Sequence, residues 1–166
     1  GGRFILEAMV MSRIIQSLEI TPACNVLTIG AGTGYGAAIM SYLAASVIAV
    51  ETRSQMVEKA QNNMSTLEIG NVAVVKSRLQ DGFASEGPYD SILIGASGQT
   101  LRILSSQLQY NNVDPDIVQY LGTSAWDKLN INPNAKNKMR IYPEGREEYL
   151  DFHRKNVFQD DINDFI

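Results

Sequence analysis

Apolar and polar positions along the chain form blocks that predict strands and helices in alternation. Short β-branched or apolar runs bounded by turn residues predict five strands, at residues 25–29, 47–50, 72–75, 89–94 and 117–121. Apolar residues recur at helical spacing elsewhere, which predicts helices at residues 3–18, 35–45, 53–67, 100–108 and 144–158. The predicted buried face of the first helix includes Met9, and that of the third consists of Met56, Val57, Ala60, Met64 and Leu67. Such alternation is typical of an α/β fold. We therefore predict a Rossmann-like, doubly wound and mainly parallel sheet with helices on both faces.

A glycine-rich turn, Gly30-Ala31-Gly32-Thr33-Gly34, follows the first predicted strand directly. Glycines allow unusual backbone angles and let a ligand approach the main chain, and a helix behind such a turn offers unpaired N–H groups and a partial positive charge. Glu51 ends the second strand about twenty residues later, where nucleotide-binding folds place the acceptor for ribose hydroxyls. This arrangement predicts a site for an adenosine-type cofactor.

The spacing of the glycines narrows the kind of cofactor. A dinucleotide fingerprint needs glycine or alanine three places after its second glycine, and that position here is Tyr35. The Gly-x-Gly-x-Gly spacing is instead similar to the first motif of class I methyltransferases, which bind S-adenosyl-L-methionine and have no pyrophosphate to hold. Two simpler interpretations stay open: Tyr35 also suits the start of a helix, and Glu51 also suits a strand end in water.

Composition limits the classes of partner. The chain has 166 residues, a formal net charge of -4 and a pI near 5.0, so it lacks the basic stripe that nucleic-acid and anionic-membrane binders need. Cys24 is the only cysteine, which excludes an internal disulfide and a cysteine-cluster metal site and fits a reducing, cytoplasmic location. The only histidine, His153, lies far from the turn, and no catalytic triad is recognisable. We therefore expect a small-molecule cofactor and no metal, nucleic acid or membrane.

Residues 4 to about 97 resemble the protein-L-isoaspartate O-methyltransferase family, in the stretches FILEAMVMSRIIQSL, VLTIGAGTGYGAAIMSYLA, VIAVE, LQDGF and GPYDSILIGAS. The resemblance implies S-adenosyl-L-methionine as cofactor and a protein or peptide carboxylate as methyl acceptor. It places the glycines of the turn against the methionine and ribose portions, Glu51 at the ribose hydroxyls and Asp81-Gly82 beside the adenine, although an Asp-Gly pair is first of all a turn signal. The predicted cofactor-binding residues are Gly30, Ala31, Gly32, Gly34, Tyr35, Glu51, Asp81 and Gly82.

Two departures from the family bear on activity. The family has Ser-Gln-Pro before its first helix, where the serine contacts the substrate carboxylate, and Leu6, Glu7 and Ala8 stand at those positions here. The family also continues after the fourth strand into a Gly-Gly-Arg-Leu strand and a terminal antiparallel hairpin, for which this sequence has no recognisable counterpart. We therefore expect cofactor binding rather than catalysis, and the sequence identifies no catalytic residue.

Residues 98–129 resemble a different family. The stretch GQTLRILSSQLQYNNVDPDIVQYLGTSAWDKL is similar to a segment of type I periplasmic ligand-binding folds, especially the lipoprotein activators of penicillin-binding proteins. The change of resemblance near Ser97 suggests a chimera in which the fifth strand docks beside the fourth. We expect one α/β domain over residues 1–132, with a loop and a helix from residues 133–166 packed on it.

Three functions are compatible with these patterns. The first is an S-adenosylmethionine-binding methyltransferase domain of the isoaspartate type. The second is a non-catalytic, recombined or designed α/β chimera that retains only the fold. The third is a small-ligand-binding domain, which rests on the short stretch at residues 98–129 alone.

Overall fold

The structure, a computed structural model, describes residues 6–95, 103–104, 119–123 and 140–142. The helices with both ends in these ranges are α1 (Ala8–Gln16), α2 (Tyr35–Ser41) and α3 (Ser54–Thr66). The strands are β1 (Asn25–Ile29), β2 (Ser46–Glu51), β3 (Val72–Lys76), β4 (Ser91–Ile94), β5 (Gln119–Thr123) and β6 (Arg140–Tyr142). Two short 3₁₀ turns, Leu79–Asp81 and Ala84–Glu86, connect β3 to β4.

The six strands form one sheet in the order β3-β2-β1-β4-β5-β6. Each described pair of neighbouring strands is parallel. The order reverses at β1, which pairs with β2 on one side and with β4 on the other. Doubly wound α/β folds have this arrangement, and their ligands bind beyond the carboxyl ends of the strands at the point of reversal. The predicted fold class is confirmed, and its expected binding edge is the end of β1.

The core lies between the middle of the sheet and the first two helices. All four residues of β4 and the last four of β1 are buried, as expected for parallel strands that are covered on both faces. Residues from α1, α2 and the central strands form one apolar cluster, which includes Ile14, Ile15, Val26, Ala37, Met40, Val47 and Leu93. The cluster holds both helices against the sheet, so the start of α2 is fixed beside the end of β1.

Two side chains predicted to face the core are exposed instead. Met9 of α1 has 75% of its surface exposed, because it is five residues from the buried Ile14 and therefore points about 140° away from it around the helix. Leu67, predicted on the inner face of α3, is 54% exposed, because it caps the end of the helix where the chain turns away. The helical spacing itself was right, but each predicted apolar face was too wide.

The far edge of the sheet was predicted only in part. The strand predicted at residues 117–121 is found at Gln119–Thr123, where it pairs in parallel with β4 as expected. The next strand, β6, was not predicted, because Arg140-Ile141-Tyr142 is too short to show a period of two and precedes Pro143, a residue type that the first turn of a helix tolerates. It pairs with β5 and extends the sheet beyond residue 132.

Other predicted elements fall largely outside the described residues. Of the predicted helix at residues 100–108, Ile103 and Leu104 are described, and both are helical. The predicted helix at residues 144–158, with His153, lies outside. The predicted packing of residues 133–166 on one domain therefore stays a prediction.

Tyr89, just before β4, provides a test of stability at alkaline pH. Its hydroxyl donates a hydrogen bond to the Phe83 carbonyl, and burial, with a smaller effect of the Glu86 charge, raises the pKa of Tyr89 from 10.0 to about 12. Because the folded-state pKa lies above the unfolded value, this contribution is complete below pH 10 and is lost as the pH rises toward 12. We expect Tyr89→Phe to cost about 1 kcal/mol at pH 8 in urea denaturation, with the difference from wild type shrinking as the pH rises from 10. The exposed Tyr42→Phe is the control, and a difference that grew with pH would contradict the assignment.

Candidate cofactor site

The glycine turn between β1 and α2 is folded against the end of β2. The φ angles of Gly30, Gly32 and Gly34 are +85°, +59° and +84°, all in the left-handed region that residues with a side chain rarely adopt. The N–H groups of Gly30 and Ala31 both donate to the Val50 carbonyl, at 2.9 and 3.0 Å. The Gly34 N–H donates to the Ala31 carbonyl at 2.9 Å. Hydrogen bonds of the backbone itself therefore contribute to the shape of the turn.

Gly30 also contacts the end of β4. The Gly95 N–H donates to the Ile29 carbonyl at 2.7 Å, which continues the β1–β4 pairing past both strands. A Cβ atom built at Gly30 would lie 2.9 Å from the Gly95 carbonyl oxygen, and one built at Gly95 would lie 3.1 Å from the Gly30 oxygen. Two bare backbones thus meet at the point where the strand order reverses, and a side chain at Gly30 would collide with them.

Glu51, the last residue of β2, joins the turn to the start of α3. Its side chain is fully buried, and its Oε2 accepts the Gly32 N–H at 2.9 Å. Its Oε1 accepts the N–H groups of Thr52 and Arg53, at 2.9 and 3.2 Å, and the Thr52 hydroxyl at 3.2 Å. Burial of a carboxylate is tolerated only with such donors around it. The interpretation of Glu51 as a strand end in water is therefore wrong: the carboxylate lies inside the protein, beside the glycine backbone.

A small cavity of about 60 Å³ lies between α1 and the ends of β1 and β4. Its lining is mostly apolar and includes Gly30, Ala31, Gly36, Leu93 and Gly95. Leu6 and Met11 close it from the side of α1. The cavity therefore begins directly beneath the glycine turn, and Leu6, for which the resemblance predicts a serine, lines it.

The remaining predicted site residues lie at the same edge of the sheet. Tyr35 is the first residue of α2 and is partly buried. Asp81 is the last residue of the 3₁₀ turn after β3, and Gly82 follows it; carboxyl ends of parallel strands share one edge of the sheet. Asp81 is exposed and pairs with the Arg78 guanidinium at 2.6 Å, an exposed pair that adds little stability. The structure thus brings the glycine turn and Glu51 into contact and places Asp81 at the same edge of the sheet. Among the described residues, Asp81 has no hydrogen bond or ion pair with the glycine turn, so its predicted role stays a prediction.

Sequence reasoning missed the contribution of α3. A Cβ atom at Gly34 would lie 2.7 Å from the Met64 side chain and 3.2 Å from that of Ala60. The Asn63 side-chain amide, from the same face of the helix, donates to the Thr33 carbonyl at 2.9 Å. The signal was present, because Asn63 is a polar residue placed within the predicted apolar face of this helix.

These residues fit a ligand that carries a ribose. A buried carboxylate beside the partly buried backbone of the turn provides acceptors for hydroxyl groups, and the glycines leave room for close approach. Within the described ranges, no group of three or more potential metal-binding side chains occurs. No helix in this part of the chain is both long and apolar enough to cross a bilayer.

Comparison with known proteins identifies relatives of the chain. A sequence model of the family described as Protein-L-isoaspartate(D-aspartate) O-methyltransferase (PCMT) matches residues 2–110. The protein-L-isoaspartate O-methyltransferase of Koribacter versatilis (strain Ellin345) is 32% identical over 96 residues, which are 58% of this chain and 43% of that protein. S-adenosyl-L-methionine is the cofactor of this family.

A second relative shows that the match extends beyond the glycine site. The protein-L-isoaspartate O-methyltransferase of Azorhizobium caulinodans is 32% identical over 149 residues, which are 86% of this chain and 69% of that protein. A match of that coverage passes Ser97 and includes residues 98–129. The comparisons therefore do not support the chimera with a periplasmic binding fold.

Solved structures agree on the architecture. The precorrin-6y C5,15-methyltransferase of Geobacter metallireducens superposes with a TM-score of 0.60 at 20% identity, over 66% of this chain and 60% of that one, a likeness that concerns the fold alone.

The chain spans about half the length of the curated relatives it matches, between 43% and 48% for five of them. On the family match, which covers well over half of the sequence, the chain belongs to the protein-L-isoaspartate O-methyltransferase family.

Proposed function

We propose that this chain binds S-adenosyl-L-methionine at the glycine turn, as a methyltransferase domain of the isoaspartate type. The observation that carries the proposal is the buried Glu51 carboxylate, whose Oε2 lies 2.9 Å from the Gly32 nitrogen. It puts an acceptor for ribose hydroxyls beside a backbone without side chains, at the reversal of the strand order. The single cysteine is in keeping with the cytoplasmic location that we expect.

Different residues of the chain would contact different parts of the cofactor. Glu51 would accept the ribose hydroxyls, and Gly30, Ala31, Gly32 and Gly34 would lie against the methionine and ribose portions. Asp81 and Gly82 would border the adenine, and Tyr35 would flank the site from the start of α2. When bound, S-adenosylmethionine supplies an electrophilic methyl group on its sulfonium. A carboxylate acceptor is already ionised at neutral pH, so the protein's main task is to hold it in line and exclude water.

Calorimetric titration with S-adenosylhomocysteine tests the site. We expect micromolar binding to wild type and about tenfold weaker binding to Glu51→Gln, equivalent to roughly 1.4 kcal/mol, because one of two acceptor oxygens becomes a donor. Glu58→Gln is the matched control, since Glu58 is an exposed acid of α3 and its substitution is expected to leave the affinity unchanged. Absence of heat from a folded wild-type sample would defeat the proposal.

A separate assay tests the identity of the methyl acceptor. We propose a protein or peptide isoaspartyl carboxylate, and the readout is methyl transfer to an isoaspartyl peptide compared with the same peptide carrying a normal aspartate. Transfer to the first peptide alone is the expected result. Equal transfer to both would remove the assignment of the acceptor while leaving the cofactor site intact.

A second candidate function is cofactor binding without turnover. It is favoured by Leu6, an apolar residue that lines the cavity beside Gly30 and Gly95 at the position of the family's serine. A domain of this kind would bind S-adenosylhomocysteine as above but transfer no methyl group to either peptide.

A further inference from the structure

Asn63 makes a hydrogen bond that links two distant parts of the chain. Its Nδ2 donates to the Thr33 carbonyl at 2.9 Å, across a sequence separation of 30 residues, and the side chain is partly buried. The first hydrogen bond of α2 runs from the Ala38 N–H to the Gly34 carbonyl, so the Thr33 carbonyl comes before the regular helical pattern. Asn63 supplies the donor that this carbonyl would otherwise need from water.

The bond fixes the orientation of one peptide unit in the glycine turn. The peptide between Thr33 and Gly34 is held at its carbonyl by Asn63 and at its N–H by the Ala31 carbonyl, at 2.9 Å in each case. Gly34 has a φ of +84° and no side chain, so nothing in the residue itself limits rotation of this unit. Hydrogen bonds at the carbonyl and at the N–H of this peptide therefore determine its orientation.

The same helix supports the turn at two further places. Ala60 and Met64, one turn of helix apart and on the same face as Asn63, are buried against Gly34. At its beginning, the Arg53 N–H donates to Glu51, whose other carboxylate oxygen holds the Gly32 N–H. α3 thus contacts the glycine turn directly at Thr33 and Gly34, and the residue before the helix is linked through Glu51 to Gly32.

We propose that Asn63 is a positioning residue for the cofactor site: through the Thr33 carbonyl it holds the glycine turn in its binding conformation before the cofactor arrives. This inference rests on the proposed function, because it assumes that S-adenosylmethionine binds at the turn. Asn63 does not touch the cofactor in this scheme, and its effect on affinity comes from preorganisation. Loss of the bond leaves the turn with several backbone arrangements, of which only some bind.

Two variants and a neighbouring control separate this role from general stability. Asn63→Asp keeps the size of the side chain but removes the donor and faces a carboxylate oxygen toward a carbonyl oxygen, and Asn63→Ala removes the group altogether. Asn62→Ala is the control, because Asn62 is the adjacent asparagine on the exposed side of α3. We expect S-adenosylhomocysteine to bind both Asn63 variants five- to tenfold more weakly than wild type, and Asn62→Ala within twofold of it, at a temperature where circular dichroism shows all four proteins folded.

Amide hydrogen exchange on the ligand-free proteins provides the readout that a purely structural role would not move. We expect the Gly32 and Gly34 amides to exchange faster in the Asn63 variants while the amides of α3 and β1 keep their wild-type protection. Unchanged affinity, or equal acceleration of exchange at all these amides, would overturn the inference. If wild type itself does not bind S-adenosylhomocysteine, the proposed function fails, whereas the exchange data still decide whether Asn63 orders the turn.

Discussion

Gly30→Ala is expected to lower the free energy of unfolding by about 3 kcal/mol, a large effect for one methyl group. Two costs combine: the φ of +85° is strained for alanine, and the new Cβ would lie 2.9 Å from the Gly95 carbonyl oxygen. That oxygen belongs to backbone held by the β1–β4 pairing, so it cannot move away as a flexible side chain would. We expect the strand ends to separate and the affinity for S-adenosylhomocysteine to fall below detection.

Gly32→Ala is the matched control for this prediction. Its φ of +59° is also left-handed, but a Cβ there has no atom within 4 Å outside its neighbours in sequence. The cost should be limited to backbone strain, about 1 kcal/mol. Urea denaturation of both variants at one pH measures the difference. Equal losses of stability would mean that the contact between Gly30 and Gly95 does not constrain the sheet.

Ile14→Ala is expected to cost about 3 to 4 kcal/mol. Ile14 has 1% of its surface exposed, belongs to the central apolar cluster, and lines the cavity beneath the glycine turn. Its removal would enlarge a cavity that already exists, and neighbours that already fail to fill a space have little scope to close a larger one. α1 would therefore lose much of its attachment to the sheet.

Met9→Ala on the same helix is the control. Met9 is 75% exposed, so its truncation should change the stability by less than about 0.5 kcal/mol. Because alanine favours helix at both positions, helix propensity cannot account for a difference between the variants. Chemical denaturation of the pair gives the test, and a loss below 1 kcal/mol for Ile14→Ala would contradict the packing described above.

The strands near the glycine turn could be predicted because burial on both faces leaves a direct mark on the sequence. β1 and β4 are short runs of mostly apolar residues, and the glycine-rich turn follows the end of β1. The sequence of β6 shows no such pattern, because three residues are too few to establish a period of two. Helix existence was predictable for the same reason as strand existence, but the width of a buried face depends on what the helix packs against, as Met9 and Leu67 show.

Parts of the candidate site could be predicted where the local geometry requires a particular residue type. Glycines at three alternate positions and an acid after the next strand identified the turn and Glu51. The partners of these groups were not predictable, because they come from elsewhere in the chain: Asn63 from a helix and Gly95 from the strand across the reversal. The similarity of residues 98–129 to a periplasmic binding fold led to the chimera hypothesis, which the comparisons do not support. Similarity over a short stretch does not show which parts of the chain that stretch pairs with in space.

The reversal of strand order at β1 also has a consequence for the path of folding. Contacts between β1 and β2 join residues 21 apart, such as Asn25 and Ser46, whereas contacts between β1 and the start of β4 join residues 65 apart, such as Asn25 and Asp90. The longer loop costs about 1 kcal/mol more in closure entropy. The β1–β2–β3 half can therefore assemble from one continuous stretch, and β4 completes the binding edge only when its half of the sheet arrives. We therefore expect the cleft to be completed late in folding, when β4 joins a unit that already holds the glycine turn and Glu51.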